Sequence, residues 1–209
     1  SGRHVLLGHL GNLAHWTQGQ HEYVVLFHDK NRDICCDLGQ NVAWIKAPVW
    51  TSYWMGRALW ERVYLAALVK KQCIDFRFTP AVMIVPGLPI PQVSFAQNPW
   101  ALVDDIHRSP AEHVKAKLQR HNYRQAMQHA RLMVFNSEFM RRVYRENAGI
   151  EEKASLVVYQ GIADETHAAA EHLAATVPRC ALQIISVSVM APHKGVETLV
   201  EALNLLNKR

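Results

Sequence analysis

Two rhythms of apolar and polar residues alternate along this chain. Short, mostly apolar runs predict strands: Tyr23 to Phe27 (YVVLF), a buried one, Val42 to Ile45, Ala81 to Val85, Val93 to Phe95, Leu132 to Phe135 (LMVF), Ala154 to Tyr159 (ASLVVY) and Leu182 to Val187 (LQIISV). Between them lie longer stretches in which apolar residues return at helical spacing. Leu6, Leu10 and Leu13 mark a helix from Arg3 to about Trp16, and Trp60, Val63, Tyr64, Ala67 and Leu68 mark one from Arg57 to Lys71. A third, rich in Lys, Arg and His, runs from about Pro110 to Ala130. Ser137 is placed to cap a fourth that reaches about Glu146, and Val196, Leu199, Val200, Leu203 and Leu206 share one face of the last.

Strand and helix taking turns predicts the α/β class, a Rossmann-like parallel sheet flanked by helices. Pro86, Gly87, Pro89 and Pro91 form a loop, and Gln160 and Gly161 end the strand before an Ala-rich stretch, Ala163 to Arg179, that carries no strand signal. The strand at Leu182 and the helix behind it open a second sheet, and one such unit cannot bury both faces of a sheet alone. The expected organisation is therefore an N-terminal Rossmann-like domain over residues 1–165, a connection over 166–180, and the incomplete start of a second Rossmann-like domain over 181–209.

Composition narrows the class further. With 49% hydrophobic and 20% charged residues the chain is expected to pack a core rather than remain disordered. No apolar run approaches the roughly 18 to 20 residues of a membrane span, and the first residues do not form a secretion signal. Cys35, Cys36, Cys73 and Cys180 match no metal-knuckle spacing, which leaves reduced thiols and a cytoplasmic location as the expectation. A net charge of +5 points to an anionic partner, with nucleic acid, a nucleotide diphosphate and an anionic membrane surface all open.

The turn Met190-Ala191-Pro192-His193-Lys194-Gly195 sits between the strand at Leu182 and the last helix, hence at a carboxyl strand end where open α/β sheets bind ligands. Free N–H groups at the helix start, with Lys194 beside them and Gly195 allowing close backbone approach, suit a diphosphate; an ordinary solvated turn has the same residues.

The stretch ISVSVMAPHKGVETLVEAL resembles the segment that opens the donor domain in glycosyltransferase family 4. Upstream, ARLMVFNSEFMRRVYRENAGIEEKASLVVYQGIADE resembles the same family's run of strand, Ser-Glu helix, strand and turn leading to the interdomain connection. The two occur in the family's order and spacing and together cover residues 130–206, whereas the first 90 residues agree only in their alternating pattern. The resemblance implies a GT-B fold, with an acceptor-side domain first and the opening of a nucleotide-sugar-binding domain last. It implies retaining, hexosyltransferase-like transfer from a nucleotide-sugar donor to a hydroxyl of a glycan, lipid or small molecule. The chain alone is then expected to be inactive, because the nucleobase pocket would lie beyond Arg209.

Residue by residue, the resemblance implies that Lys194, with Gly195, contacts the donor diphosphate and that Gly161 lies near the cleft between domains. Gln160 stands where the family usually has asparagine, and Val189 where many members have an arginine that helps neutralise phosphate. Gln97 and Asn98 occupy the place where many relatives carry a histidine at the transfer site. Amides orient hydroxyls and phosphate oxygens but exchange no protons near neutral pH, and a plain strand-end turn is the other reading. Gly2 falls where relatives have a glycine-rich loop, although a cloning remnant accounts for Ser1-Gly2 equally well.

No metal and no other cofactor is expected, the nucleotide sugar being a substrate; Asp104 and Asp105 are adjacent rather than spaced as metal ligands. Glu138 and Glu146 lie two helical turns apart and read as a solvated face paired with Arg141, Arg142 and Arg145. Lys115, Lys117, Arg120, His121 and Arg124, together with those arginines, fit either peripheral contact with an anionic inner-membrane face or a solvated basic surface. Trp44, Trp50, Tyr53, Trp54 and Trp60 fit either acceptor stacking or core packing. Expected partners are thus a nucleotide sugar, a glycan or lipid-linked acceptor and an anionic membrane, and no nucleic acid. Rival readings are a sugar-nucleotide epimerase or other GT-B enzyme, and a non-catalytic nucleic-acid-binding α/β module.

Overall fold

The computed structural model describes residues 2–17, 19–103, 107, 109–149, 152, 154–161, 167–172 and 196–206, with side chains from Leu6 onward. In chain order these form α1 (Gly2–Trp16), β1 (Tyr23–Phe27), β2 (Val42–Lys46), α2 (Trp54–Lys71), β3 (Arg77–Thr79), β4 (Gln92–Ala96), α3 (Pro110–His129), β5 (Leu132–Phe135), α4 (Glu138–Ala148), β6 (Ser155–Val157), the short helix α5 (167–172) and α6 (Val196–Leu206). Short 3-10 turns lie at Asp29–Ile34, Val49–Ser52 and Trp100–Leu102.

The fold is mixed α/β with parallel sheets flanked by helices, consistent with a Rossmann-like architecture. β1 and β2 pair in parallel from Tyr23 opposite Val42 to Phe27 opposite Lys46, and β3-β4-β5-β6 form a four-stranded, all-parallel sheet in that order. α3 and α4 make the crossovers from β4 to β5 and from β5 to β6, as parallel pairing requires.

Local chemistry sets the helix ends. Ser109 accepts from the Glu112 backbone N–H while the Glu112 carboxylate accepts from the Ser109 N–H, a reciprocal cap that starts α3 at Pro110. Ser137 caps α4 as expected, accepting from the Met140 N–H at 3.2 Å. Gly149 ends α4 with a φ of +66°, in the left-handed region that glycine enters at little cost.

The main core lies between the four-stranded sheet and α3 and α4. Ala96, Ala126, Met127, Met133 and Phe135 are fully enclosed there, together with Met140 and Tyr144. Burying each of the larger side chains contributes roughly 1.5–3 kcal/mol. A smaller cluster, Leu65, Val69 and Val85 with Leu26, Trp60 and Leu68 against it, joins α2 to β1 and to the loop before β4.

Four expectations need correction. Ala81 to Val85 is not a strand; the sheet instead takes Arg77–Thr79. The 83–85 backbone is stitched down by side chains: the Gln92 amide accepts from the Val85 N–H and donates to the Val85 carbonyl, both at 2.8 Å, and Ser94 donates to the Met83 carbonyl at 3.3 Å. α2 begins earlier than Arg57 and is turned from the expected phase. Its buried residues are Leu65 and Val69, while Val63 and Tyr64 are exposed. In α1 the buried positions are Leu10 and Ala14, and Leu13 faces out. The strand ASLVVY shortens to Ser155–Val157, and the strand expected at Leu182 to Val187 lies outside the described residues. Among the described residues, no helix is long and apolar enough to cross a membrane.

Candidate functional site

Four parallel neighbouring strands bring their carboxyl ends to one edge, and that edge is where open α/β sheets place ligands. Pro80 follows β3, Gln97 and Asn98 follow β4, Asn136 and Ser137 follow β5, and Gln160 and Gly161 lie past β6. β4 is the most buried strand of the sheet, so the loop it feeds starts from a fixed point.

That loop is held by an unusual number of polar contacts. Gln97 donates from Nε2 to the Pro80 carbonyl at 2.8 Å, tying the end of β4 to the end of β3. Asn98 uses Oδ1 to accept from the Trp100 N–H at 2.9 Å, a local turn, and its own carbonyl accepts from the Tyr144 hydroxyl at 3.0 Å. Burial pushes the Tyr144 phenol far up, with the nearby Tyr123 adding to the effect, so it remains a donor at every physiological pH. The Trp100 carbonyl meets His107 Nε2 at 3.0 Å, Arg120 Nε donates to the Ala101 carbonyl, and Lys115 Nζ stands 5.1 Å over the Trp100 ring.

Each amide therefore has one end committed to backbone and the other end available. Gln97 Oε1 remains an acceptor and Asn98 Nδ2 a donor, the pair of functions that orients a sugar hydroxyl or a phosphate oxygen. Neither supplies a base.

Two further polar residues at this edge escaped the sequence reading. Asn136, first after β5, has a buried Oδ1 without a hydrogen-bond partner. His107 is 7% exposed, between the Trp100 ring at 4.6 Å and the His113 ring at 5.5 Å, and its Nδ1 is buried and unpartnered. With Nε2–H donating to the Trp100 carbonyl, that Nδ1 is left as an acceptor. Orphaned buried polar atoms are uncommon, which makes both residues candidates for ligand contact. Asn136 sits inside the FNSEF stretch, and His107 directly follows Asp104-Asp105-Ile106, but burial and loss of a partner arise only in three dimensions.

The other expected site residues fare differently. Gly161 is exposed and its backbone is not left-handed; an added Cβ would meet nothing within 4 Å, so its described surroundings do not require glycine. Gly2 is the first residue of α1, helical rather than part of a glycine-rich loop. Lys194 and Gly195 lie outside the described residues, as do Val189, Asp104 and Asp105. Glu138 and Glu146 pair with Arg141 at 2.6 Å and Arg142 at 3.9 Å on an open face, as expected. Arg145 departs from that set and binds Glu152 with both Nε and Nη2, at 2.7–3.1 Å.

A cavity of about 510 Å³ is lined by Gln92 and Arg131, at the amino ends of β4 and β5 and thus opposite the polar edge. Among the described residues, no group of three or more His, Cys, Asp or Glu is arranged to hold a metal ion. Compared with protein-family models, curated proteins and solved structures, the chain finds no match.

Proposed function

We propose that this chain is part of a retaining glycosyltransferase of the GT-B type, similar to family 4, that moves a sugar from a nucleotide-sugar donor to a hydroxyl of a glycan or lipid-linked acceptor. The observation that supports it is the placement of the family-like stretch 130–165. It runs through β5, α4 and β6, in the order of strand, Ser-capped helix and strand that the resemblance implies, beside a polar edge built from Gln97 and Asn98.

In this reading the bond from the anomeric carbon to the donor's phosphate oxygen breaks and its electron pair leaves with the nucleoside diphosphate. The acceptor oxygen bonds the same carbon and gives its proton to the departing phosphate. The protein contributes positioning and charge stabilisation, with Lys194 and Gly195 at the diphosphate and the two amides on the sugar. No metal takes part. The enzyme works in the cytoplasm, peripherally at the inner membrane face where a lipid-linked acceptor is presented.

The test is release of nucleoside diphosphate by the intact natural protein, screened against a panel of nucleotide sugars. Turnover with one donor that falls about a hundredfold in Lys194→Ala is the expected result. Absence of turnover and of binding with every donor would overturn the proposal, and release of nucleotide with no sugar on any acceptor would favour an epimerase-like reaction.

A further inference from the structure

Buried polar atoms without a hydrogen-bond partner gather at one kind of place in this fold. Among the described residues they are His28 Nδ1, Ser52 Oγ, His107 Nδ1 and Asn136 Oδ1. Each lies on the stretch that leaves the carboxyl end of a strand: His28 directly after β1, Ser52 in the turn after β2, His107 past β4 and Asn136 past β5. Such atoms are costly to a folded chain, and parallel sheets hold their ligands at this end of the strands. His107 and Asn136 belong to the polar edge around Gln97 and Asn98. His28 and Ser52 belong to β1 and β2.

Local backbone chemistry does not use these two side chains. The His28 N–H donates to Asn31 Oδ1 at 2.7 Å and the His28 carbonyl accepts from the Asn31 N–H at 2.9 Å, which leaves the ring nitrogen over. In the next turn the Thr51 hydroxyl and N–H both donate to the Pro48 carbonyl, at 2.6 Å and 2.9 Å, and the Tyr53 N–H donates to the Trp50 carbonyl at 3.3 Å. The Ser52 hydroxyl between them has no partner. The Asp29–Ile34 and Val49–Ser52 turns lie against each other, and Lys30 Nζ stands 4.4 Å over the Tyr53 ring.

Aromatic rings frame this pair. Trp50 is 41% exposed, and Tyr53 and Trp54 are each 65% exposed. Trp50 is held in place by Gly56, where an added Cβ would stand 3.0 Å from the Trp50 ring. Trp44, by contrast, packs edge-on to Phe27 at 6.4 Å, and Trp60 joins the smaller core. The aromatics that fitted either core packing or acceptor stacking therefore divide between the two. Charges around the turns have both signs: Asp29 pairs with Lys46 at 2.7 Å, and Arg32 and Asp33 are neighbours in the facing turn. No single sign selects an ion, so the arrangement suits a neutral ligand.

We propose that the turns behind β1 and β2 form a carbohydrate-binding subsite. A pyranose ring has an apolar C–H face, which stacks on Trp54 and Trp50, and hydroxyls at its edge. Those hydroxyls bond Ser52 Oγ, turned outward about its side-chain torsion, and His28 Nδ1 behind it, so the bound sugar supplies the partners that the fold withholds. The inference rests on the reading of the chain as a transferase with a glycan acceptor, and it gives the outer sugars of that acceptor a place.

The experiment is saturation-transfer NMR of the whole protein, without any donor, against gluco-, manno-, galacto- and N-acetylglucosamine trisaccharides. Wild type is compared with Trp54→Ala, Ser52→Ala, Lys194→Ala and, as a control ring exposed at the end of α1, Trp16→Ala. The expected result is binding of at least one trisaccharide that weakens about tenfold in Trp54→Ala and about fivefold in Ser52→Ala, and is unchanged in the other two. Ser52→Ala should also melt at or above the wild-type temperature, because it removes a buried hydroxyl without a partner. No binding, or binding indifferent to Trp54→Ala and Ser52→Ala, would overturn the proposal. A lower melting temperature in Ser52→Ala would do the same, by showing that the hydroxyl serves the fold. Trisaccharide binding without turnover on any donor would sink the transferase reading alone, and turnover without trisaccharide binding would sink this subsite alone.

Discussion

At the scale of single residues, the strongest commitments lie behind the polar edge rather than on it. Glu152 has a side chain 1% exposed, bound by Arg145. Burial pushes its carboxyl up, but hydrogen bonds from Arg145 and Ser155 outweigh that and hold it below its ordinary value of 4.5. A depressed folded value means the pair's stability is fully present above that ordinary value and is lost as pH falls through the folded one. Thermal melts of Glu152→Gln should therefore lose less stability than wild type on acidification below pH 4.5. Arg145→Ala, which strands a buried carboxylate, should cost about 3 kcal/mol at neutral pH by urea unfolding. Tyr144→Phe tests the anchor of Asn98: a loss of about 1 kcal/mol is expected. If Asn98 handles substrate, kcat should fall further than that stability change explains. These dependences were not legible in the sequence. Tyr144 and Asn98 are far apart along it, and neither Asn136 nor His107 announces the missing partner that makes it a candidate.

Among the elements, the strands read most directly from sequence were those with unbroken apolar runs, YVVLF and LMVF; LMVF is the inner strand β5, with a neighbour on each edge, and YVVLF pairs with β2 in the smaller sheet. β3 was missed because Arg-Phe-Thr is short and starts on a charge, and that charge is met only in the fold, by the Glu61 carboxylate on α2, while the Gln92 amide and the Met83 carbonyl accept its other hydrogen bonds. Ala81 to Val85 was misread for the complementary reason: Val82 and Val85 are buried, but side chains rather than a neighbouring strand satisfy its backbone. Gln92→Leu should leave the Val85 N–H unpaired and its carbonyl with only the Leu88 N–H, at 3.3 Å, and cost about 2 kcal/mol, measured by chemical denaturation. The phase of α2 was ambiguous because apolar residues surround it, so periodicity had no single solution. Gly56 is the telling position on that helix. Alanine there would favour the helix by about 1 kcal/mol if space allowed. Its Cβ would instead fall 2.3 Å from the Trp50 carbonyl oxygen. Gly56→Ala should therefore lower the melting temperature and shift the Trp fluorescence, whereas a raised melting temperature would show that the turn moves aside freely.

On the scale of the whole molecule, the parallel α/β plan could be read from the alternation of runs and periods, but not the division into a four-stranded and a two-stranded sheet. That division depends on which backbone groups meet. The two apolar clusters are also unequal: the one under β4 and β5 includes Met127, Met133, Phe135 and Tyr144, all essentially sealed from water, whereas the one under α2 has three buried residues. Amide hydrogen exchange should reflect this. Protons of β4 and β5 should exchange only through global unfolding, while those of β1, β2 and α2 should exchange earlier and together, as one sub-global unit. Uniform protection across the six described strands would contradict it. The consequence is a division of labour in free energy: the region of β1, β2 and α2 can yield and re-form on its own, while the loops that position Gln97 and Asn98 stay in register.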